Sequence, residues 1–298
     1  MTSINNKFNN IALFIGVNKK YITDEYANIA AILMANNYNL FLTEGTKNIL
    51  ENSSIPTVTE YSNIDIIITI GGDGTMLKAA ELAQKYNIPL LGINCGRLGF
   101  LTDICSKEQD RLMAILEGSY ITEQRILMEA NITMDNQTTS LGLFLNDIIL
   151  MRGGLPRVLE FDLYIDNEFI CNQRADGLVI ATPTGSTAYS LSAGGPILEP
   201  GVDAITIAPI CAHTLNTRPI VINSNKKIAI VANHRDEVTA SISCDGKEKT
   251  PLPRNTIVHV AKSNEYVTLV HPCDYNYFNT LKEKLHWERK PHARLFTD

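Results

Sequence analysis

Short apolar runs separated by amphipathic stretches organise the first part of the chain. Residues 11–16 (Ile-Ala-Leu-Phe-Ile-Gly) read as a buried strand, and residues 23–36 repeat apolar positions at helical spacing. Leu40, Phe41 and Leu42 form a second strand-like run. Residues 65–70 (Asp-Ile-Ile-Ile-Thr-Ile) form a third, rich in β-branched side chains. An amphipathic segment at 76–86, an apolar run at 88–93 and a helical pattern at 108–117 follow. Alternation of this kind predicts an α/β domain with a doubly wound parallel sheet.

The texture changes near residue 123. Residues 130–134 and 140–150 are extended runs on either side of the turn-forming stretch Asp135, Asn136, Gln137, Thr138. Residues 161–165 and 169–171 flank Asp166 and Asn167 in the same manner. Short runs at 205–210, 220–222, 227–231, 238–243 and 257–261 complete the pattern of a β-rich domain. The expected division is 1–122 for the α/β domain and 123–274 for the β-rich one. The tail, 275–298, holds an amphipathic helix at 275–287 that is expected to pack back on the first domain.

The third strand ends in Gly71-Gly72-Asp73-Gly74-Thr75, with a helix directly behind. Glycines there let a phosphate approach bare N–H groups, and the helix start adds its own amides and a positive dipole end. A carboxylate is unfavourable in a loop that merely stores phosphate. Asp73 makes sense if it meets an incoming hydroxyl beside a phosphoryl group, which points to a kinase. By residue type alone it could also be a simple helix cap. No G-x-x-x-x-G-K-S/T occurs, and Gly72-Asp73-Gly74-Thr75-Met76-Leu77 lacks the last glycine of a dinucleotide fingerprint.

Composition narrows the partners. At 298 residues, 45% hydrophobic and 19% charged, the chain has the make-up of an ordinary globular protein. A net charge of −6 disfavours nucleic acid and anionic membrane surfaces alike. The six cysteines are scattered without a C-x-x-C pair, which disfavours a zinc site. The polar first ten residues, and the lack of any apolar run near the ~20 residues of a membrane span, lead us to expect a cytoplasmic protein with reduced thiols.

A second glycine-rich stretch runs from 176 to 196, with small hydroxyl residues behind a strand. It offers many hydrogen bonds and little bulk, which suits a planar polar ligand, and Tyr189 could stack on or donate to a nucleobase. Together, Gly71-Gly72-Asp73-Gly74-Thr75, residues 92–101, Asn146-Asp147, residues 176–196, residues 209–215 with Arg218-Pro219, and Ser243-Cys244-Asp245-Gly246 resemble the NAD kinase family over nearly the whole chain. The first of these motifs is shared with lipid kinases and phosphofructokinases, whereas the 176–196 block is close to diagnostic.

The resemblance implies phosphorylation of the adenosine 2′-hydroxyl of NAD by ATP, giving NADP. Asp73 would orient the hydroxyl and accept its proton, while Gly71, Gly72, Gly74 and Thr75 cradle donor phosphates, with Gly74 also part of the NAD site. Asn146 and Asp147 would contact the adenosine, and Thr187, Ala188, Tyr189, Ser190, Leu191 and Ser192 would enclose the adenine. Phe100 would line the pocket and Asp176 would bond the nicotinamide amide. Lys78, Arg157 and Arg174 would bring positive charge to phosphates or the far ribose, and Asp245 and Lys247 would complete the NAD site. Two departures stand out: Ala212 replaces a proline common before the histidine, and Lys247 replaces a common glutamine. A divalent cation, most simply Mg²⁺, is implied without identifiable protein ligands, as is a homodimer or homotetramer.

Plainer readings stay open. Asn146-Asp147 could end a strand in a turn, Asp245-Gly246 is by type a hairpin turn, His213 could be a buried hydrogen-bonded histidine, and Arg157 a surface charge. Another kinase with the same loop, or a non-catalytic dinucleotide sensor, would also fit the first motif. The resemblance implies a preference for NAD⁺ over NADH, because a basic residue at the position of Arg174 accompanies the NAD-only kinases; the geometric role expected of its planar guanidinium is to fix the ribose or pyrophosphate. Comparing kcat/KM for the two substrates in the wild type and in Arg174→Gly tests this. Higher efficiency with NAD⁺, relaxed in the variant, is expected; equal wild-type efficiencies, or no relaxation, contradict it.

Overall fold

The computed structural model describes residues 6–17, 19–51, 53–96, 99–153, 158–214, 216–233, 239–247 and 249–287. Two compact units divide the chain, one of residues 1–123 with 269–298 and one of residues 124–268.

The first unit runs β1 (Asn10–Ile15), α1 (Lys20–Ala35), β2 (Asn39–Leu42), α2 (Glu44–Ile49), β3 (Ile66–Gly71), α3 (Asp73–Tyr86), β4 (Leu90–Asn94), β5 (Ile104–Cys105) and α4 (Gln109–Leu116). Its strands pair in parallel in the order β4-β3-β1-β2. β3 and β4 are buried along their whole length, which is why their sequences are continuously apolar rather than alternating. Ile22, Ile29 and Leu33 of α1 join Ile11, Leu13, Ile66, Ile68 and Ile70 in one core. Ala79, Ala80 and Ala83 of α3 are all buried, and their small side chains let that helix sit close on β3 and β4. β1 lies between β2 and β3, so the strand order reverses there. Ligands of open α/β sheets bind at such a reversal, beyond the carboxyl ends of the strands.

α3 starts at Asp73, three residues ahead of the apolar pattern that begins at Met76. The extended Gly72 is its N-cap, and the acidic Asp73 suits the positive end of the helix dipole. α2, only six residues long and containing Gly45, has too few apolar positions to show a helical period.

The chain enters the second unit within β6 (Tyr120–Met134) and continues through β7 (Gln137–Phe144), β8 (Asp147–Gly153), β9 (Leu159–Ile165), β10 (Glu168–Ala175), β11 (Gly177–Ala181), α5 (Tyr189–Ser192), β12 (Ala204–Ile210), β13 (Ile220–Asn223), β14 (Ile228–Ala232), β15 (Thr239–Cys244), β16 (Thr250–Leu252) and β17 (Ile257–Pro272). β10, β9, β14 and β17 form one antiparallel run, with β6 pairing β17 and β7. A second antiparallel sheet has the order β13-β12-β11-β8-β15-β16. Phe144, Phe161, Leu163, Ile230 and Val258 of the first set share a core with Ile148, Leu150, Ile180, Ile207 and Ile242 of the second.

The stretch 140–150, expected as one extended run, is two strands, because the chain leaves β7 and starts β8 in a different sheet. Within the glycine-rich 176–196 stretch, residues 184–187 form a 3₁₀ turn that leads into α5. The turns at Asp135-Asn136, Asp166-Asn167 and Asp245-Gly246 all place both residues at positive φ, the type I′ geometry that these residue types favour.

β17 returns to the first unit, where Leu269 pairs in parallel with Leu90 of β4. The tail helix α6 (Tyr277–Lys284) follows, capped by the Asn276 side chain accepting from Asn279 N. Arg111 ion-pairs with Asp274 at 2.5 Å, and Tyr275 stacks on the buried His271 with ring centroids 4.0 Å apart. Thr280 and Leu281 are buried, so α6 belongs to the first unit as the tail reading expected.

Candidate active site

In the first unit the strand-order reversal carries the Gly71–Thr75 sequence. The side chain of Thr75 turns inward, and a Cβ on Gly71 would come within 2.3 Å of its Oγ1, so residue 71 must be glycine. Gly72 and Gly74 are different: a Cβ at either would meet nothing within 4 Å. Their smallness therefore serves approach from outside. Gly72 has no side chain with which to cap α3, which leaves the first helix amides for a ligand.

The carboxylate of Asp73 is already engaged on one side. Oδ2 accepts from Phe100 N at 2.9 Å, and Oδ1 accepts from Leu101 N at 3.0 Å. Around that contact a polar network shapes residues 94–102. Asn94 donates to Thr102 Oγ1 at 2.8 Å and accepts from Gly96 N at 2.6 Å, while Gly99 N donates to Thr102 Oγ1 at 2.9 Å. A Cβ on Gly99 would lie 1.9 Å from Asp73 Oδ1, so this glycine is what lets the loop reach the carboxylate. Gly71, Gly72 and Asp73 line a cavity of about 310 Å³ together with Tyr21, Asn94, Cys95, Gly96, Gly99 and Lys284.

Of the other residues expected here, exposed Lys78 reaches Gly16 O at 3.3 Å, beyond β1. Phe100 lies under the Lys284 ammonium, 5.9 Å from its ring centroid. A larger cavity, of about 700 Å³ beside α1, is lined by Tyr26, Met34 and Ile55, and its described lining includes no glycine loop or cation. Chemistry favours the smaller one.

In the second unit a second carboxylate organises a second loop. Asp245, in its hairpin turn, accepts from Leu145 N at 2.7 Å, Asn146 N at 2.7 Å and Asp147 N at 3.1 Å. The turn reading of Asp245-Gly246 is right, and the turn also aims a carboxylate beneath Asn146-Asp147. Asn146 O accepts from Thr182 N at 2.9 Å, and a Cβ on Gly185 would come within 2.0 Å of that oxygen, which explains the glycine. Asn146 Oδ1 and Ser190 Oγ are buried without a hydrogen-bond partner among the described residues. Such atoms cost free energy unless something satisfies them.

Asp147 is buried, and it accepts from Tyr189 N. Burial first, and then the neighbouring Asp245, push its carboxyl up to about 7. Burial also raises Asp245, but three backbone N–H groups oppose the shift.

Asp176 accepts from Arg152 Nε at 2.7 Å. Arg174 directs Nε and Nη2 to Glu160 Oε2 at 3.1 and 3.0 Å. Thr187 bonds back to Thr184 O at 3.3 Å, Ala188 and Leu191 are partly buried, and Ser192 is exposed. Lys247 is exposed beside Asp245. His213 is exposed too, which removes the buried-histidine reading. Arg157 lies outside the described residues.

Sequence reading missed the roles of Gly99, Asn94, Tyr21 and Lys284. Gly99 and Asn94 were part of a quoted motif, although their contacts are tertiary. Nothing in the tail distinguishes Lys284 from its neighbour Lys282.

A helix N-terminus behind ligand-accessible glycines, one carboxylate and a nearby cation define a phosphotransferase of the glycine-loop kind. Residues 27–120 match the ATP-NAD kinase N-terminal domain, and residues 145–272 match the ATP-NAD kinase C-terminal domain. The chain belongs to the NAD kinase family. An NAD kinase of Coxiella burnetii is 41% identical over 286 residues, spanning 95% of this chain and 96% of that protein. An NAD kinase of Pseudomonas entomophila is 39% identical, spanning 94% and 96%. In fold, the chain is similar to the yeast NADH kinase complexed with NADH (TM-score 0.83, 24% identity, 98% of this chain and 91% of that one). It is also similar to the Archaeoglobus fulgidus NAD kinase in complex with ATP (TM-score 0.69, 23% identity, 92% and 98%).

The raised Asp147 makes a prediction about stability. Its folded pKa, about 7, lies above the ~3.9 of a free aspartate. The contribution is fully present below pH ~4 and is lost as pH rises through about 7. The thermal midpoint of the wild type should therefore fall between pH 5 and pH 8, and Asp147→Asn should flatten that fall. Equal slopes in thermal melts of the two proteins would contradict the assignment.

Proposed function

We propose that this protein transfers the γ-phosphoryl group of ATP to the 2′-hydroxyl of the adenosine ribose of NAD, giving NADP and ADP. The observation that carries the reading is Asp73, held at the start of α3 over glycine backbone. Two backbone amides take part of its acceptor capacity. An ionised carboxylate offers about four acceptor positions, so room for a hydroxyl proton remains.

In the step, the ribose oxygen attacks Pγ as the Pγ–O bond to ADP breaks, and the hydroxyl proton passes to Asp73. The transition state is loose, so the protein's work is alignment and charge stabilisation. Gly71, Gly72, Gly74 and the N-terminal amides of α3 cradle donor phosphates. Asn146 and Asp147 take the adenosine, and residues 187–192 wall the adenine. Asp176, with Arg152 holding its carboxylate, takes the nicotinamide amide. Asp245 acts through the loop it fixes.

Among the described residues no three His, Cys, Asp or Glu side chains converge as a metal site. We take a divalent cation such as Mg²⁺ to enter with ATP as part of that substrate. There it neutralises charge across the phosphates. No helix among the described residues is long and apolar enough to cross a membrane. The acidic balance of the chain argues against nucleic-acid and anionic membrane partners, and we take the enzyme to be cytoplasmic and a dimer or tetramer.

Asp73→Asn should lower kcat by ~10²–10⁴, the usual contribution of a positioned acid–base group, with much less change in NAD affinity. Steady-state rates of the purified variant check this, and wild-type turnover would falsify the role. Asn146→Ala should weaken NAD binding by ~1–3 kcal/mol, because it deletes a buried acceptor that awaits a partner. Calorimetry showing unchanged NAD affinity in the variant would return Asn146 to a turn residue.

A further inference from the structure

α6 places Lys284 three residues after buried Leu281 and four after buried Thr280, hence on the inward face of the helix. Its neighbours Lys282 and Glu283 are exposed, whereas Lys284 is half-buried and lines the cavity that holds Gly71, Gly72 and Asp73. The ammonium stands 5.9 Å from the Phe100 ring centroid, at the outer limit of a cation–π contact. No described carboxylate pairs with it. By contrast, Lys7, Lys226 and Lys262 each meet one within 4 Å. The plainest alternative is a basic residue in the last turn of a helix, complementing its dipole. That does not explain why the charge is turned inward, toward ligand-accessible glycines.

We propose that Lys284 binds the terminal phosphates of the triphosphate donor, and so makes the tail helix part of the active site. This rests on the kinase reading above and deepens it. The glycine amides and helix dipole supply only partial charges, and among the described side chains lining this cavity Lys284 is the one cation. An ammonium with three rotatable donors suits phosphate oxygens that shift during transfer. The Phe100 ring lies below the ammonium, and the amide of Phe100 donates to Asp73. One residue thereby links the phosphate-binding charge to the proton acceptor.

The test compares Lys284→Gln, Lys284→Arg and the control Lys282→Gln in the full chain. ATP and NAD are varied separately in the kinase assay, and inorganic tripolyphosphate is titrated by calorimetry. Lys284→Gln should raise KM for ATP and Kd for tripolyphosphate about 10- to 100-fold, the range for a lost charge-assisted hydrogen bond, with KM for NAD unchanged. Lys284→Arg should recover most of the affinity, and Lys282→Gln should match the wild type. Wild-type tripolyphosphate affinity in Lys284→Gln overturns the proposal. So does an equal loss in Lys282→Gln, which would reduce the effect to bulk charge. If the wild type makes no NADP, the kinase reading fails, and the tripolyphosphate titration still decides the role of Lys284.

Discussion

The constraint on which the molecule depends is the bonding of carboxylates to consecutive backbone amides. Asp73 accepts from residues 100 and 101, and Asp245 accepts from residues 145, 146 and 147. Charge-assisted bonds of this kind are roughly twice as strong as neutral ones and are directional. Each turns a segment that would otherwise be a free loop into a fixed edge. Each also explains a glycine: Gly99 lets the first loop reach its carboxylate, and Gly185 lets the chain pass against Asn146.

The two carboxylates differ in what is left over. Three amides consume most of the acceptor capacity of Asp245, which suits it to a fixed structural charge. Burial, together with that neighbouring carboxyl, raises Asp147 to about 7. Asp73 keeps acceptor positions free and stands beside a cavity rather than beneath a loop. Its bonds to the 99–101 segment hold the carboxylate in one orientation, so little reorganisation is needed when a hydroxyl arrives.

Most of the fold was legible because parallel strands buried on both faces are continuously apolar and their crossover helices keep a helical period. The strands ending at Gly71 and Asn94 show this best. Legibility failed where pairing continues through polar residues. The 262–265 segment of β17 and the 122–124 segment of β6 carry charged or polar side chains, yet stay in strands. It failed again at Asn146, because the break between β7 and β8 is set by Asp245, about 100 positions later. In the site, Asp73 stood out by its glycine neighbours. Lys284 did not, since only the tertiary position of α6 separates it from Lys282.

The central claim is that these clamped loops serve phosphorylation of NAD on its 2′-hydroxyl. The most direct measurement incubates the purified wild-type protein with NAD, ATP and Mg²⁺, quantifies NADP by an NADP-specific coupled reaction, and locates the new phosphate by ³¹P NMR. NADP should accumulate only when all three are present, with the phosphate on the adenosine 2′-oxygen. No product, or phosphate on another hydroxyl, would contradict the account.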